Sequence, residues 1–442
     1  MRSLKTTLRA LCALALPGLA LPGLALAQGP PAGYYASVDT STAASLRSTL
    51  HAVIDDHTRY PYTSSSTDTW NILALAQRNP ANASRVLDIY RNRSFVTQTG
   101  GNSFYNREHS WPTSYGFPVD GSGNMPFSDC HMLFICDSGY NSSRSNKPFG
   151  NCTAGCSELT TDANGGVGGG SGSFPGQSNW TSGSFTNGTW QVNAFRKGDI
   201  ARALLYADVR YEGGSHGVTG VSEPDLILTD NTGQIAASNT GQNEAVAYMG
   251  RLSVLLDWHL ADPVDLWEQT RNDVVASFQG NRNPFVDHPE WVDCLFLGLC
   301  EPGAPYCSPA TLNSTGQRAT IEGRGSAVIA NDDFRLIASQ LPMQSAGYFL
   351  CSQTQGFIFA PGGSSGNLCL GGSIGRVVSG QILNSSFFGS FSVGVDLTAL
   401  PQPTGAVPAV VGETWNFQAW FRDGVGGQVT SNFTDGWSVT WQ

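Results

Sequence analysis

Asn106-Arg107-Glu108-His109-Ser110-Trp111-Pro112 is the stretch on which the reading of this chain turns. A Glu-His pair alone says little, because surface Glu-His dipeptides are common and usually solvated. Its meaning comes from three segments further along the chain: Ser128-Asp129-Cys130-His131-Met132-Leu133, then Asn141-Ser142-Ser143-Arg144-Ser145-Asn146, then Phe149-Gly150. Residues 94–110 are rich in β-formers and turn residues and predict a hairpin. Its second strand would carry Arg107-Glu108-His109 and end at Trp111-Pro112, since proline cannot continue a paired strand. If residues 141–146 open a helix, Asn141 and Arg144 stand three apart and share a face. Such a hairpin packed on such a helix gathers a base, oxygen ligands and a cation around one point. Phosphodiester hydrolysis calls for that set: a base to activate water, a hard metal ion on the phosphate and leaving oxygen, and a guanidinium for the phosphate's charge.

Around this segment the chain alternates helical and extended texture. Apolar residues at helical spacing (Leu46, Leu50, Val53, Ile54) predict a helix over residues 41–56. Residues 70–77 and 83–90 read as two more short helices separated by Pro80. Residues 164–188, dominated by Gly, Ser, Asn and Thr, read as a long irregular loop. Helices are expected over residues 197–211, 244–260 and 263–278, with Asp262-Pro263 as a stop and restart. After Glu301-Pro302-Gly303-Ala304-Pro305 the composition changes. Short alternating runs at 326–329, 334–339, 347–351, 375–378, 414–421 and 437–441, separated by turn residues, predict an antiparallel β-sandwich.

The N-terminus carries a different signal. Arg2, Lys5 and Arg9 precede an apolar run over residues 11–26 that closes on Ala25-Leu26-Ala27. This is the pattern of a cleaved secretory signal peptide. The run is short for a membrane anchor and is broken by Pro17 and Pro22. No later stretch is long and apolar enough to span a bilayer, so a secreted chain is expected, with the periplasm as the other destination. The chain therefore divides into a signal peptide 1–27, a first domain 28–300, a linker 301–305 and a β-rich module 306–442.

Nine of the ten cysteines lie beyond residue 27. In an exported protein they should be mostly oxidised, with at least one left over. Cys152/Cys156 and Cys294/Cys300 read as local pairs, although spacing alone leaves connectivity open. A four-cysteine zinc site is the competing reading, but the paired C-x-x-C knuckles it needs are missing. The net charge of −10 argues against binding nucleic acid through bulk electrostatics. An enzyme that works through a metal ion and a few arginines does not need a basic body.

These motifs resemble the endonuclease I group of secreted nucleases in the ββα-metal (His-Me finger) superfamily. The resemblance rests on residues 106–112, Ser-Asp-x-His at 128–131 and Asn-x-x-Arg-Ser-Asn-x-x-Phe-Gly at 141–150. Lys-Gly-Asp-Ile-Ala-Arg-Ala at 197–203, Pro-Val-Asp-x-Trp-Glu at 263–268, Arg271-Asn272 and residues 279–287 continue it in order. It implies an α+β nuclease domain with a ββα-metal core and surrounding helices, here followed by the β-sandwich. It further implies His109 as general base and Glu108 and Asn141 as protein ligands of one Mg²⁺, with Mn²⁺ or Ca²⁺ as alternatives. Arg144 and His131 become supporting groups near the phosphate, and Arg107 and Arg144 contacts to substrate. For His131 the rival role is a histidine that only orients its neighbours; for Arg144 it is an ordinary salt bridge. Arg202, Glu268, Arg271 and residues 279–285 read as scaffold. Met132 and Ile135 depart from the group, where Asn or His and then proline are usual. The implied reaction is sequence-nonspecific hydrolysis of DNA, RNA or both to 5′-phosphate ends by a monomer without protein partners. The rivals are an inactive nuclease-fold binding module and a secreted adhesin working through the β-module.

Residues 306–442 resemble a β-rich module appended to many exported bacterial proteins, through Cys307-Ser308-Pro309, residues 366–372 and Thr414-Trp415-Asn416-Phe417-Gln418. That resemblance implies a Cys307–Cys369 link and leaves Cys351 as the odd thiol.

Overall fold

The computed structural model describes residues 29–98, 100–169, 177–377, 382–425 and 428–442. The expected signal peptide therefore lies outside the described residues. Helix α1 (Ala43–Ile54) forms where the apolar spacing placed it, buries Leu46, Leu50 and Ile54, and is capped by the Thr42 hydroxyl accepting from Ser45 N–H. Helix α2 (Thr69–Ala76) opens with a capping box between Asp68 and Asn71.

The expected second short helix, residues 83–90, is instead a strand. β1 (Arg78–Asn79), β2 (Asn82–Leu87) and β3 (Ser94–Val96) form an antiparallel sheet. The reason is local: Asn79 Oδ1 accepts from Ala81 N–H at 2.9 Å, and this Asx turn at Asn79-Pro80 reverses the chain. With β3 committed to β2, the hairpin expected within residues 94–110 does not form. β4 (Tyr105–His109) pairs instead with β5 (Leu133–Asp137), in register Tyr105↔Asp137 to His109↔Leu133.

Burial explains that choice. Every residue of β5 is buried, and its side chains alternate between two cores, Leu133 and Ile135 into one, Phe134 and Cys136 into the other. Only an apolar run on both faces can serve as the wall between them. On one side lie α2, Val86, Phe95 and Val275; on the other lie α1, Trp190 and α4 (Lys197–Arg210). Asp137 ends β5 and caps α3 (Ser138–Arg144), accepting from Gly139 and Tyr140 N–H. Strand, strand and helix thus form a ββα unit. The helix begins three residues earlier than expected, so Asn141 sits mid-helix and still shares a face with Arg144.

α5 (Thr232–Ser238), α6 (Leu252–Ala261) and α7 (Leu266–Gln279) complete the surround. The helix expected over 244–260 is split. Val246–Met249 is a strand parallel to Asp225–Leu228, and Gly250 at φ +102° breaks the chain where a Cβ would meet Leu228 at 2.8 Å. The loop expected over 164–188 contains a strand, Asn179–Ser182, flanked by Ser157–Leu159 and Thr189–Gln191; its residues 170–176 lie outside the described residues. Arg202 and Glu268, read as scaffold, form a buried bidentate pair at 2.7 and 2.6 Å.

The C-terminal region is strand-rich. A six-stranded sheet built on Ala346–Ser352, Thr414–Val425 and Gln428–Thr440 faces the sheet Thr320–Arg324, Arg335–Ser339 and Phe391–Gly394, all antiparallel. Leu336, Phe349, Phe391, Trp415, Phe417 and Trp437 fill the core between them. Residues 326–329 are not the expected strand but lead into a 3₁₀ turn, Ile329–Asn331. The expected linker is partly structured as well: Ala304–Tyr306 is an edge strand of the larger sheet, the place where a strand tolerates Pro305. Disulfides join Cys152–Cys156, Cys294–Cys300 and Cys307–Cys369. Cys351 is free and buried, as are Cys130 and Cys136. Among the described residues no helix is long and apolar enough to cross a membrane.

Candidate functional site

Successive side chains of β4 leave on opposite faces, so the Arg107-Glu108-His109 segment serves two environments. Glu108 turns toward α3 and is 1% exposed. Its Oε1 accepts from Tyr90 Oη–H at 2.7 Å and lies 2.9 Å from Arg144 Nη1. Burial raises its pKa, while Arg144 and the Tyr90 hydrogen bond pull it back. Asn141 donates through Nδ2 to Asn106 Oδ1 at 2.7 Å and to Arg107 O at 3.2 Å. Both donor bonds fix the amide so that its Oδ1 is left without a partner among the described residues.

The other face of β4 holds Arg107 and His109 against one aromatic ring. Tyr62 stacks on the imidazole at 5.5 Å and 26°, and Phe127 stands edge-on to both rings at 4.9 and 5.0 Å. His109 Nε2 lies 2.8 Å from Phe127 O. A carbonyl oxygen can only accept, so Nε2 carries the proton and Nδ1 keeps the free lone pair. Burial lowers the His109 pKa to about 4, so the ring is neutral at physiological pH. A neutral ring with one nitrogen pinned and the other unpartnered among the described residues is the state a general base requires.

The Arg107 guanidinium lies 3.3 Å from the Tyr62 ring centre and 4.3 Å from that of Trp70. It donates to Tyr62 O, to Thr69 Oγ1 at 2.8 Å and to Thr63 Oγ1 at 3.0 Å. It holds the 62–69 segment over His109.

Two expected phosphate contacts sit differently. Arg144 is 1% exposed and directs Nη1 to His109 O at 2.9 Å and Nη2 to Ser110 O at 2.7 Å, besides pairing with Glu108. Its bonds tie α3 to the end of β4 and leave it no surface for a phosphate. His131, 2% exposed, is set apart from the Glu108 cluster. Its Nε2 lies 3.1 Å from Asn281 O, its ring packs on Tyr206 at 4.8 Å, and its N–H donates to Asp129 Oδ1 at 2.9 Å. Asp129 also accepts from Tyr206, Tyr211 and Gln279. This network anchors the segment that carries Phe127, and through Phe127 O it reaches His109. The departures from the family pattern lie in packing: Met132 is buried, and Ile135 donates its N–H to Gln77 Oε1 at 2.6 Å, a bond proline could not make.

Tyr62, Phe127 and Tyr90 escaped the sequence reading. Tyr60-Pro61-Tyr62 offered an aromatic signal ahead of α2, and Tyr90 was hidden in a stretch read as helix.

The residues present fit a divalent ion. Glu108 supplies a carboxylate whose Oε2 has no hydrogen bond among the described residues, and Asn141 supplies an unpartnered amide oxygen. Both are hard oxygen ligands, and among the described residues no group of three or more His, Cys, Asp or Glu side chains could hold a metal. Two protein oxygens with the rest of the shell left to water and phosphate fit Mg²⁺ better than an all-protein site would.

Two extracellular ribonucleases are similar to this chain over the region that holds these residues. The extracellular ribonuclease of Bacillus amyloliquefaciens is 36% identical over 264 residues, covering 59% of this chain and 76% of the relative. The extracellular ribonuclease of Bacillus subtilis (strain 168) is 35% identical over 263 residues, covering 59% and 77%. The family model for endonuclease I matches residues 42–290, which include the ββα unit and the helices around it. The chain belongs to the endonuclease I family.

Proposed function

We propose that the protein is a secreted, metal-dependent, sequence-nonspecific endonuclease that hydrolyses RNA, and DNA by the same chemistry, to 5′-phosphate products. The observation that carries this reading is His109, neutral, with Nε2 bonded to Phe127 O and Nδ1 free, one residue from a buried Glu108 that neighbours Asn141. His109 Nδ1 takes the proton from the attacking water as its oxygen bonds to phosphorus. The P–O3′ bond breaks, and the 3′-oxygen leaves to be protonated by solvent. Glu108 and Asn141 would hold a divalent ion, which would supply positive charge to offset the negative charge that develops in the reaction. Arg144 pairs with Glu108 and holds it in place, and Tyr62 and Phe127 fix the plane of the base. Arg107 orders the 62–69 segment over that base. His131 buttresses the loop that brings Phe127.

The names of the two relatives support RNA as substrate and release to the outside of the cell. The β-sandwich is proposed as a separate module without catalytic residues, the boundary lying near residues 301–305. The test is a pair of zymograms on the purified protein, in RNA-loaded and DNA-loaded gels, with EDTA and with Mg²⁺ restored. Clearing in the RNA gel that EDTA abolishes and Mg²⁺ restores is expected. Clearing that survives EDTA removes the metal from the mechanism, and no clearing in either gel removes the activity.

A further inference from the structure

A groove of about 420 Å³ opens between β3 and the start of α3, lined by Arg85, Arg93, Val96, Phe104, Asp137 and Ser138 among others. It lies beside the candidate site without sharing its residues. Phe104 immediately precedes β4, and its carbonyl accepts from Ser138 N–H at 3.2 Å. It therefore stands four residues, about 13 Å of extended chain, from Glu108, and the other wall, Ser138, is under a helical turn from Asn141.

Three features of the groove are those of a polynucleotide track. Val96, the last residue of β3, is 56% exposed, and Phe104 is 62% exposed, the one large apolar side chain in a connecting segment 97–104 otherwise made of Thr, Gln, Gly, Asn and Ser. Arg85 has no carboxylate partner among the described residues, and its guanidinium is pre-oriented by Ser94, whose Oγ accepts Nε at 2.9 Å and whose carbonyl accepts Nη2. Nη1 is left for a ligand. Arg93 lies over Phe95 at 5.3 Å with only a 3.8 Å approach to Asp162. The acid of the groove, Asp137, is engaged by Arg91 at 3.0 Å and by the α3 cap. In a chain of net charge −10 this patch is locally cationic, with an exposed aromatic face at its edge.

We propose that this groove is a substrate subsite for single-stranded polynucleotide flanking the cut, with a base stacked on Phe104 and a phosphate on Arg85. A planar ring and a cation beside it take any base, which suits a nonspecific enzyme, and a paired duplex cannot offer an unstacked base to Phe104. The assignment rests on the reading of the chain as a nuclease and names where its substrate runs.

The experiment uses the full mature chain in EDTA, so that no cleavage enters. Fluorescence anisotropy follows binding of short labelled oligouridylate, oligodeoxythymidylate and a duplex. Phe104→Ala should weaken single-strand binding roughly ten-fold, and Phe104→Trp should restore it. Arg85→Ala should lower the slope of log affinity against log salt by about 0.7. All variants should melt like wild type, since these side chains are exposed or peripheral. Wild-type affinity and salt slope in Phe104→Ala and Arg85→Ala, or loss of duplex binding equal to loss of single-strand binding, overturns the subsite. Hydrolysis of bis(p-nitrophenyl) phosphate with Mg²⁺ separates the two readings. An enzyme that cleaves it while the variants bind oligonucleotide normally keeps the nuclease and loses the subsite. A chain that never cleaves but binds single strands through Phe104 keeps the subsite and loses the nuclease.

Discussion

Arg144 offers the sharpest perturbation, because one buried guanidinium joins α3, Glu108 and the carbonyls of His109 and Ser110. Arg144→Met keeps much of the volume and removes the charge. Among the described residues it leaves a 1% exposed carboxylate with Tyr90 as its remaining partner and the His109 and Ser110 carbonyls without the Arg144 donors. Breaking a buried pair from one side costs about 3–5 kcal/mol, a large part of the roughly 5–15 kcal/mol that holds a domain folded. Glu108→Gln breaks the same pair from the other side and should cost about 3 kcal/mol, while Tyr90 can still donate to the amide oxygen. The double variant removes both charges and should be less destabilised than the two singles added together by at least about 2 kcal/mol, the signature of directly coupled groups. The assay is urea unfolding in EDTA, with hydrogen exchange of the β4 amides identifying the transition that belongs to this hairpin. Additivity within about 0.5 kcal/mol would refute the claim that Arg144 acts by neutralising Glu108.

Other substitutions report on the chemistry. His109→Ala should keep its melting behaviour and lose about 10²–10⁴-fold in cleavage rate; activity within a few-fold of wild type places the base elsewhere. In the wild type, kcat/KM should fall as pH drops toward about 4, where His109 becomes protonated, rather than near the ordinary histidine value; an acid limb near 6.5 argues against the neutral, half-buried ring. Asn141→Ala should lose activity at low Mg²⁺ and partly recover as Mg²⁺ is raised, measured as a titration of rate; an unchanged metal curve removes Asn141 from the ion. Tyr62→Ala should lower kcat more than it raises KM by releasing the imidazole plane, with Tyr62→Phe near wild type; equal loss in both variants assigns the effect to the hydroxyl instead. A chain ending near Pro302 should still cut, and a cooperatively melting but inactive product makes the β-sandwich part of the site.

The sequence made the ordered motifs legible before the architecture. The grouping of Glu108 with Asn141 and Arg144 could be read because a strand and a helix set their spacing, and α1, α2, α4 and α7 because apolar residues recur there at helical period. Short strands carry no such signal. Residues 83–90 contain apolar residues compatible with either period, and the Asx turn at Asn79, not the run itself, decides for β2. The partner of β4 was misplaced because pairing is non-local: only the demand for a wall apolar on both faces selects residues 133–137. That Arg144 and His131, expected near the phosphate, are both buried was not legible, because a sequence shows that a polar group is present but not where its surface goes.

The order in which that wall is assembled has a consequence for when the site exists. β4 and β5 are separated by residues 110–132, so their ladder cannot close as a tight local turn. The chain must first bear the entropy of gathering a long loop, and the reward comes only when both cores condense on the hairpin. Such non-local pairing is slow relative to helix formation. Until it happens, Phe127 is nowhere near His109, Arg144 cannot reach Glu108, and the imidazole titrates as an ordinary solvated group. On the mechanism proposed above, an emerging or unfolded chain would be harmless to nucleic acid, and the site would be assembled all at once, at the same cooperative step that makes the domain solid.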